Sequence, residues 1–536
     1  VKPYFYKTKD GSWNADTNEY DTQLLQTGDP YLSQSGISRD TDQTFYFDAR
    51  LDWKRSFGDH NLTAMMMYMM REYRHDVLPN RNQGYSGRIT YDYANRYLLE
   101  FNFGYNGSER LASGTRFEFF PAASIGWVVS SEKFWEPLSQ YVNHLKVRAS
   151  YGLVGSDDFN GKAPHFLYQN QIGIGKAYDF WTGLPTNEQK RNGANFEILS
   201  IQDAGWEHVK KFDIGVDLSL FNQVNITFDY FHDVRDRILM SRASWPIMLG
   251  YWGSTPWSNI GEVTNSGVEL SLNWSKQFGK DWAVDFRSNF TYNQNEYKYV
   301  DEPAYPYVWQ TKTGKPLNTL TGYVAEGLFT SEEEIANWAD QSQLGTNIMP
   351  GDIKYRDIDG NGRITEEDKV MLSPYNNIPR IQYGFGLNVT YKKLDFGVFF
   401  NGSAKRKIMI DSGFAPFLVS GGDGMEGETL ARNLMQWIAD DHWSVDNPNP
   451  NATYPRLGTT KSDVSNNTQA SSYWVRNGNF LRFKTLEVGY RFPMCRVYFS
   501  GDNLAVFSPF KLWDPELSWN SYPLQRTFNL GVQFTF

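Results

Sequence analysis

Polar and apolar residues alternate along most of the chain, most regularly at its carboxy terminus. There Phe528, Leu530, Val532, Phe534 and Phe536 occupy one face of an extended strand, and small polar residues and glycine occupy the other. Side chains of a β-strand point alternately to the two sides of a sheet, so one face can contact lipid while the other lines an aqueous lumen. The pattern predicts a membrane-spanning strand with Phe536 as the membrane-insertion terminus.

Similar segments of about ten residues recur at roughly fifteen places, and this length crosses a bilayer when the strand is tilted. Clear examples lie at 211–220, 224–230, 267–274, 282–292 and 381–391. The alternation predicts an all-β fold, a transmembrane antiparallel β-barrel of which about fifteen strands lie in this chain.

The connections between these segments are alternately short and long. Short ones such as Phe221–Gln223 and Lys392–Lys393 read as tight turns, and a longer one at 130–143 is expected to hold a helical turn. In outer-membrane barrels the short turns face the periplasm and the long loops face outward, which also puts the carboxy terminus in the periplasm. The long loops predicted in this way lie at 156–205, 240–261, 298–379, 407–478 and 506–524.

We divide the chain into residues 1–43, an extracellular loop or incomplete upstream barrel segment, and residues 44–536, the carboxy-terminal part of the barrel. Counting hairpins back from a periplasmic terminus makes the first strand, near 45–54, run downward, which leaves an odd number of strands. Single-chain bacterial barrels have an even number, and an open sheet edge is not stable in hydrocarbon. We therefore expect an upstream piece, which also carries the export signal, to close the barrel.

Composition narrows the class of protein. Hydrophobic residues make up 40% of the chain, and no run approaches the roughly 20 apolar residues of a membrane helix, which excludes a helical membrane protein. The 16% of aromatic residues fits the aromatic girdles of a barrel or a carbohydrate-binding β protein. A net charge of −9 without a basic run argues against nucleic acid, and the single Cys495 excludes a disulfide framework.

One acidic segment, 357–368, has the oxygen-ligand spacing of an EF-hand loop, with glycine at the sixth position and an acid at the twelfth. Asp357, Asp359 and Asn361 would bind through their side chains, Arg363 through its carbonyl and Asp368 as the closing acid. Thr365 would contribute through water. Hard oxygen ligands favour a structural Ca²⁺, with Mg²⁺ as the alternative ion. The competing interpretation is a solvated turn rich in aspartate and glycine.

Other candidate residues favour structural roles. Aromatic residues of two predicted outer loops are interpreted as loop packing or partner docking. Charges on the lumen side of the strands are interpreted as the polar lining of the barrel rather than paired catalytic carboxylates. With seven scattered histidines and no phosphate-binding glycine loop, the sequence predicts no enzyme. The aromatic residues are Trp245, Tyr251, Trp252, Trp257, Tyr305, Tyr307 and Trp309, and the lumen charges are Asp213, Asp217, Glu269, Asp285 and Arg287.

Several stretches resemble the SusC-like (RagA-like) branch of TonB-dependent outer-membrane transporters of Bacteroidetes. The similarity spans most of the chain in order, and the segment 350–355 before the acidic loop resembles that branch's metal-binding loop. The matching stretches are Phe119–Trp127, Leu145–Gly152, Lys211–Gly215, Asn259–Val263, Gly267–Leu270, Phe480–Tyr490, Gly501–Leu504 and Tyr522–Phe528.

The resemblance implies a barrel of about 22 strands filled by an amino-terminal plug. It also implies a SusD-like surface lipoprotein as a lid, a dimer of such pairs, and energy from TonB–ExbB–ExbD. Cargo in this branch is mostly oligosaccharide and in some members oligopeptide. The plug and the TonB-contacting segment are not in this sequence, and no substrate-binding residue carries over from the matching strands.

Two other functions are compatible with the alternation. A barrel without a lipoprotein lid could act as a siderophore-type receptor or a passive porin, although loops as long as 298–379 favour a lid. A secreted β-sandwich that binds or hydrolyses glycans would also alternate, but its turns lack the regular short and long asymmetry.

Overall fold

The computed structural model describes most of the chain. The described residues are 5–14, 19–26, 41–75, 78–159, 166–182, 189–201, 203–246, 248, 256–345, 347–410, 420–421, 429–430, 436–458, 464–517 and 521–535. Phe536, Tyr251 and Trp252, which the sequence analysis singled out, lie outside them.

One antiparallel sheet of 15 strands dominates the structure, which confirms the predicted all-β fold and the predicted strand number. Its strands follow one another as β27-β26-β25-β20-β19-β14-β13-β12-β11-β8-β7-β6-β5-β4-β3, so nearly all sequence neighbours pair as hairpins. Those strands are β3 (Gln43–Phe57), β4 (His60–Arg74), β5 (Asn80–Tyr93), β6 (Tyr97–Ser108), β7 (Phe117–Val128), β8 (Val142–Ser156), β11 (Glu207–Leu220), β12 (Val224–Ser241), β13 (Trp257–Phe278), β14 (Trp282–Tyr299), β19 (Ile381–Tyr391), β20 (Leu394–Ala404), β25 (Phe480–Arg491), β26 (Cys495–Phe507) and β27 (Thr527–Phe534).

The remaining strands form two-stranded sheets in the connections. These pairs are β1 (Phe5–Asn14) with β2 (Glu19–Gln26), β9 (Gln171–Thr182) with β10 (Gln189–Ile198), β15 (Leu320–Gly322) with β18 (Val370–Ser373), β16 (Ala325–Leu328) with β17 (Ile353–Tyr355), β21 (Lys407–Met409) with β24 (Val475–Asn477), and β22 (Ser420–Gly421) with β23 (Thr429–Leu430). Short helices are α1 (Glu332–Ala336), α2 (Gln436–Ala439) and 3-10 turns at Val129–Ser131, Lys133–Leu138, Val308–Gln310, Glu366–Asp368 and Ser472–Trp474. Two of these turns lie in the connection where the sequence predicted a helical turn.

The two faces of the sheet differ in polarity, as the alternation predicted. On β6, Tyr97, Leu99 and Phe101 are exposed on one face, and the intervening Glu100 and Asn102 lie on the other. There the Arg88 Nη2 donates to Glu100 Oε2 at 2.6 Å, and Asn102 Nδ2 donates to Glu100 Oε1 at 2.7 Å. An apolar outer face and a hydrogen-bonded polar face suit lipid on one side and water on the other.

Tight turns connect the strands at one end of the sheet. Gly58 between β3 and β4 and Gly279 between β13 and β14 have φ of +60° and +62°. This left-handed conformation carries no steric cost at glycine, and it closes a hairpin within two residues. No helix of the described residues is long and apolar enough to cross a membrane.

The chain divides into two units. One consists of Val1–Phe47 with Met70–Arg81, and it contains the β1–β2 hairpin. The other consists of Asp48–Met69 with Asn82–Phe536 and contains both buried clusters and the acidic loop described below.

Within the larger unit, the long connections form a hydrophobic core of their own. Buried side chains from the β14–β19, β20–β25 and β26–β27 connections pack together, including Tyr323, Tyr355, Trp443, Trp474 and Phe510. A second buried cluster, around Phe120, Trp206 and Leu239, lies where β7 and β11 begin and β12 ends. The β14–β19, β20–β25 and β26–β27 connections therefore form one packed module, which we call the loop module, rather than independent surface loops.

Candidate functional site

The acidic loop predicted from sequence follows β17 and ends in the 3-10 turn Glu366–Asp368, and its backbone turns tightly around one carboxylate. Asp357, at its first position, accepts hydrogen bonds from the backbone N–H of Gly360 and of Gly362, each at 2.8 Å. Gly360 and Gly362 have φ of +74° and +80°, a conformation that glycine adopts without strain. The two glycines let the chain turn tightly around the Asp357 carboxylate.

The predicted ligand residues converge in space. Carboxylate oxygens of Asp357, Asp359 and Asp368 lie within 4.8 Å of one another, with Asp357 and Asp359 half-buried. The Asn361 Oδ1 accepts the Arg363 N–H at 2.8 Å, and its Nδ2 donates to Asp359 Oδ2 at 2.9 Å. Both Asp357 oxygens, Asp359 Oδ1 and Asn361 Oδ1 each accept a single N–H, so each of these oxygens keeps a lone pair that could bind a cation.

Asp368 is fully buried and closes the loop from inside. Its Oδ1 accepts the Ile358 N–H and its Oδ2 accepts the Thr365 N–H, both at 2.7 Å. Thr365 in return caps the 3-10 turn through its hydroxyl, which accepts the Glu367 N–H. The shorter aspartate at the twelfth position therefore serves as a helix cap as well as a candidate ligand.

A backbone bridge fixes the middle of the loop. Asp340 donates its N–H to the Gly362 carbonyl at 2.9 Å and accepts the Ile364 N–H at 2.8 Å. Ile364 is buried in the core of the loop module. Within the described part of the chain the Arg363 carbonyl accepts no hydrogen bond, so the oxygen predicted to bind at the seventh position is not engaged by the protein. The donor set of carboxylates, amide and carbonyl is the chemistry that Ca²⁺ prefers.

Two aromatic residues anchor the acidic loop. The Tyr307 hydroxyl donates to Asp359 Oδ2 at 3.0 Å, and the Trp309 Nε1 donates to the Glu367 carbonyl at 2.8 Å. Their rings stack with centroids 4.4 Å apart and an angle of 8° between the planes. The hydrogen bond to Asp359 raises the pKa of Tyr307 above its ordinary value. Of the aromatic residues predicted in this connection, Tyr307 and Trp309 thus pack on the loop, whereas Tyr305 remains exposed.

The other predicted aromatic group is only partly described. Trp257 begins β13 and packs against the second buried cluster, and Trp245 lies half-buried in the turn after β12. Packing is the role that the structure gives to Trp257.

A buried ion pair in the loop module was not predicted. Asp352 is fully buried, and its carboxylate lies 2.7 Å from the Arg456 Nε and 3.1 Å from the Arg456 Nη2. It also accepts the Asn467 Nδ2 at 2.7 Å and the Met349 N–H at 2.9 Å. Burial raises the pKa of Asp352, and Arg456 opposes this effect.

This pair continues into a network that holds β17. Asn467 Oδ1 accepts the Ile353 N–H, and Gln341 accepts the Tyr355 N–H while it donates to the Ile353 carbonyl. Side chains from the same connection (Gln341) and from the β20–β25 connection (Asn467) thus satisfy backbone groups of the last strand before the acidic loop. Asp352 stood in a stretch that the sequence analysis noted, but nothing near it in sequence indicated Arg456, about one hundred residues away.

A second buried cation, Arg482, links the connection between β26 and β27 to the sheet. Arg482 on β25 is fully buried and bonds Asp514 Oδ1 at 2.5 Å and Glu516 Oε2 at 3.0 Å. It also donates to Asn503, which has φ of +56° at an irregularity in β26. Both Arg482 and Asn503 lie in stretches that resemble the SusC-like branch, and their contact gives those stretches a structural role.

Two of the charges predicted on the lumen face, Asp213 and Asp217, belong to an ion network around Arg148. Its guanidinium lies 3.2 Å from Asp213, 3.4 Å from Asp217 and 2.5 Å from Asp229 on the two following strands. A Cβ on Gly215 would lie 2.6 Å from the Arg148 Cζ, so glycine makes room for this guanidinium. Carboxylates paired in this way have a structural role, as the sequence analysis interpreted Asp213 and Asp217.

The other three predicted lumen charges lie on neighbouring strands. Asp285 and Arg287 are on β14, and the Arg287 guanidinium lies 5.2 Å from the ring centre of Phe399. Glu269 lies on β13 opposite Asp229. The structure does not bring these three together into one cluster with Arg148.

An antiparallel sheet of this size with an apolar outer face, a charged inner face and a loop module at one end defines a class of large outer-membrane barrels. The chain matches the family described as TonB dependent receptor-like, beta-barrel, over residues 3–504. It belongs to that family, which confirms the predicted class and the prediction that the chain is not an enzyme.

Curated relatives agree with this assignment. The chain is similar to TonB-dependent receptor P3 of Formosa agariphila, with 26% identity over 492 residues, 84% of this chain and 45% of that protein. It is similar to TonB-dependent receptor SusC of Bacteroides thetaiotaomicron, with 24% identity over 580 residues, 100% of this chain and 52% of that protein. The chain thus spans about half the length of the curated relatives it matches.

Among solved structures, the RagAB peptide transporter has a similar fold. Its TM-score is 0.68 at 19% sequence identity, over 92% of this chain and 55% of that chain. The RagAB peptide importer in its open-open state gives a TM-score of 0.67 at 18% identity, over 93% of this chain and 55% of that chain.

Proposed function

We propose that this chain forms the carboxy-terminal barrel part of a TonB-dependent transporter that imports large nutrients across the bacterial outer membrane. The observation that carries the proposal is the 15-stranded antiparallel sheet with one apolar and one charged face, in a chain of this family. The apolar face would contact outer-membrane lipid, and the carboxy terminus would lie in the periplasm.

The loop module supports a surface partner. Its core of tightly packed aromatic and aliphatic side chains makes a firm platform at the loop end of the strands, which a SusD-like lipoprotein would cover. Two such pairs would associate as a dimer, with energy supplied by TonB–ExbB–ExbD. The similarity to the TonB-dependent receptor SusC supports the lipoprotein partner and the dependence on TonB.

We further propose that the acidic loop holds a structural Ca²⁺, with Mg²⁺ as the weaker alternative. Asp357, Asp359 and Asn361 would bind through their side chains, Arg363 through its carbonyl and Asp368 through its carboxylate. The fit of this donor set supports the proposal, because the carboxylates already converge and no described residue donates a hydrogen bond to the Arg363 carbonyl. The ion would stiffen the loop that carries Tyr307 and Trp309 rather than take part in transport.

Oligosaccharides are the cargo that we favour, and oligopeptides are the second candidate. The similarity to the RagAB peptide transporter supports the second, but at 19% identity this likeness concerns the fold alone. One uptake experiment distinguishes the two cargoes.

The experiment measures uptake by whole cells and the composition of the complex. Fluorescently labelled oligosaccharides and oligopeptides of similar mass are compared in cells with and without this gene, before and after the proton-motive force is dissipated. We expect energy-dependent uptake of oligosaccharide that requires the gene, and native mass spectrometry of outer-membrane extracts should show a co-purifying lipoprotein. Energy-independent uptake would indicate a passive pore, and recovery of the chain from the soluble fraction would refute the proposal.

A further inference from the structure

A cavity of about 470 Å³ lies beside the acidic loop, at the level of the loop module. Its walls come from the end of β14, the turn at Val308–Gln310, the segment that follows this turn, and the end of the acidic loop at Glu366 and Lys369. We call it the Trp309 cavity. Its volume lies within the range of about 300–1,000 Å³ that is usual for small-ligand sites.

The charge of the cavity is opposite to that of the chain. Three lysines, Lys312, Lys315 and Lys369, line it with a single carboxylate, Glu366, although the whole chain carries a net charge of −9. Lys369 pairs with Glu366 at 2.6 Å, but the Glu366 side chain is 79% exposed, so this pair holds either partner only weakly.

A further carboxylate that interacts with these lysines, Glu302, is already engaged by the protein. Glu302 accepts the backbone N–H groups of Lys312 and Thr313, at 2.7 Å and 3.0 Å, and the Thr313 hydroxyl at 2.8 Å. Burial lowers the pKa of Lys315, and Glu302 only partly offsets this effect. The Lys315 ammonium donates to the Trp309 carbonyl and keeps further N–H donors. Three lysines therefore face two carboxylates, Glu302 and Glu366, and positive charge is left in excess for an anion in the cavity.

The cavity also offers a fixed aromatic surface. Trp309 is held by its stacking on Tyr307 and by its Nε1 hydrogen bond to the Glu367 carbonyl. The exposed ring of Tyr305 lines the same space. Trp309 cannot rotate without breaking these contacts. Its side chain therefore loses little conformational entropy when a ligand with a flat apolar face binds against the ring.

Hydrogen-bonding groups around this surface are available to a ligand. Among the described residues, the side chains of Lys312, Asn318 and Thr319 have no protein hydrogen-bond partner, and all three line the cavity. An ammonium, an amide and a hydroxyl supply both donors and acceptors. A ring that carries hydroxyl groups on its rim and one negative charge would satisfy all of these groups.

We propose that the Trp309 cavity binds an acidic sugar unit of the uronic acid type, with its ring against Trp309 and its carboxylate held by the lysines. This inference rests on the proposed import of saccharides and narrows the cargo to an anionic one. An acidic peptide is less favoured, because peptides are commonly bound by pairing with an open strand edge. The cavity walls are mainly turns and the ends of strands.

Calorimetry on the detergent-solubilised protein, purified with whatever chains accompany it, tests the proposal. The probes are trigalacturonate, its neutral methyl ester and triglutamate. We expect trigalacturonate to bind, the ester to bind at least about fivefold more weakly, and the affinity for trigalacturonate to fall with added salt.

Variants locate the binding. Lys312→Gln removes a charge that acts on Glu302 only electrostatically and makes no side-chain hydrogen bond among the described residues. The variant should fold normally and weaken trigalacturonate binding about two- to fivefold. Lys312→Glu should weaken it further. Trp309→Ala should weaken both saccharides by up to about tenfold, because the ring surface serves each of them. Lys298→Gln, which removes a β14 lysine paired with Glu296 outside the cavity, is the matched control and should leave binding unchanged.

The outcomes separate this inference from the proposed function. Absence of trigalacturonate binding, or binding that Lys312→Gln and Trp309→Ala leave unchanged, overturns the inference even if energy-dependent uptake of other saccharides is intact. Equal binding of triglutamate with the same sensitivity to the variants also overturns it, in favour of an acidic peptide. Loss of gene-dependent uptake of every cargo contradicts the proposed function itself.

Discussion

Replacement of Arg456 by methionine should open the loop module while leaving the sheet intact. In the native chain, the buried Arg456 makes two contacts with the fully buried Asp352 carboxylate, at 2.7 Å and 3.1 Å. Removing one member of a buried ion pair leaves an uncompensated charge and typically costs about 3–5 kcal/mol. Methionine keeps much of the packing volume, so the loss is mainly electrostatic.

Hydrogen exchange measures this loss locally. The amides of Met349 and Ile353 are hydrogen-bonded to Asp352 and Asn467, and they report on opening of the module. A cost of 3–5 kcal/mol corresponds to roughly two to three and a half orders of magnitude faster exchange at these amides. Amides in the centre of β13, far from the module, should exchange as in the native chain and serve as the internal control.

Two further observations decide the reasoning. The double variant Arg456→Met, Asp352→Asn should recover most of the protection, because no buried charge remains. In the single variant, burial raises the pKa of Asp352 above 3.8 without the opposing arginine. A carboxyl group whose pKa is higher in the folded than in the unfolded state destabilises the folded state as the pH rises through that pKa. Protection should therefore return as the pH is lowered. Unchanged exchange in the single variant, or a double variant as open as the single one, would refute the role of this pair.

Three other changes test separate parts of the structure. Asp359→Asn should weaken Ca²⁺ binding at least tenfold, measured by titration calorimetry. Removal of Ca²⁺ from the native protein with a chelator should speed proteolysis between β17 and β18. If neither result depends on Ca²⁺, the metal site is excluded. Gly215→Val should impair assembly, measured by heat-modifiable gel mobility, because a Cβ at this position would lie 2.2 Å from Asp229 Oδ1 on the next strand. Gly126→Ala is the control and should assemble normally, because its Cβ would have its nearest contact at 3.4 Å. Arg482→Met should release the connection between β26 and β27 to protease without reducing the amount of folded barrel, since its partners lie in that connection; unchanged cleavage would contradict its anchoring role.

The strands were predictable because their signal is local. On β6 and β27 the alternation with a period of two residues is set by the geometry of an extended chain, and no distant residue is needed to produce it. The tight turns were similarly local, since Gly58 and Gly279 each permit a conformation that most residues avoid. The predicted boundaries were less accurate: β11 begins at Glu207 rather than at residue 211, because pairing with β8 and β12 extends it.

The candidate site was only partly predictable. The acidic loop has a fixed spacing of ligands over 12 residues, so Asp357, Asp359 and Asp368 could be grouped from sequence alone. Its anchors could not be found in this way. Tyr307 lies 52 positions before Asp359 in the chain, and only the folded connection brings its hydroxyl to that carboxylate.

The sequence by itself determined the all-β architecture, the apolar and polar faces of each strand and the acidic loop, because each depends on residues within a few positions of one another. The tertiary structure alone decided that the long connections form one packed module around Asp352 and Arg456, and that Lys312, Lys315, Lys369 and Trp309 line a single cavity. The contact of Asp352 with Arg456, and the approach of Lys369 to the segment 309–315, join residues far apart in sequence. The free energy of burial and ion pairing that selects such contacts exists only after the strands have brought the connections together.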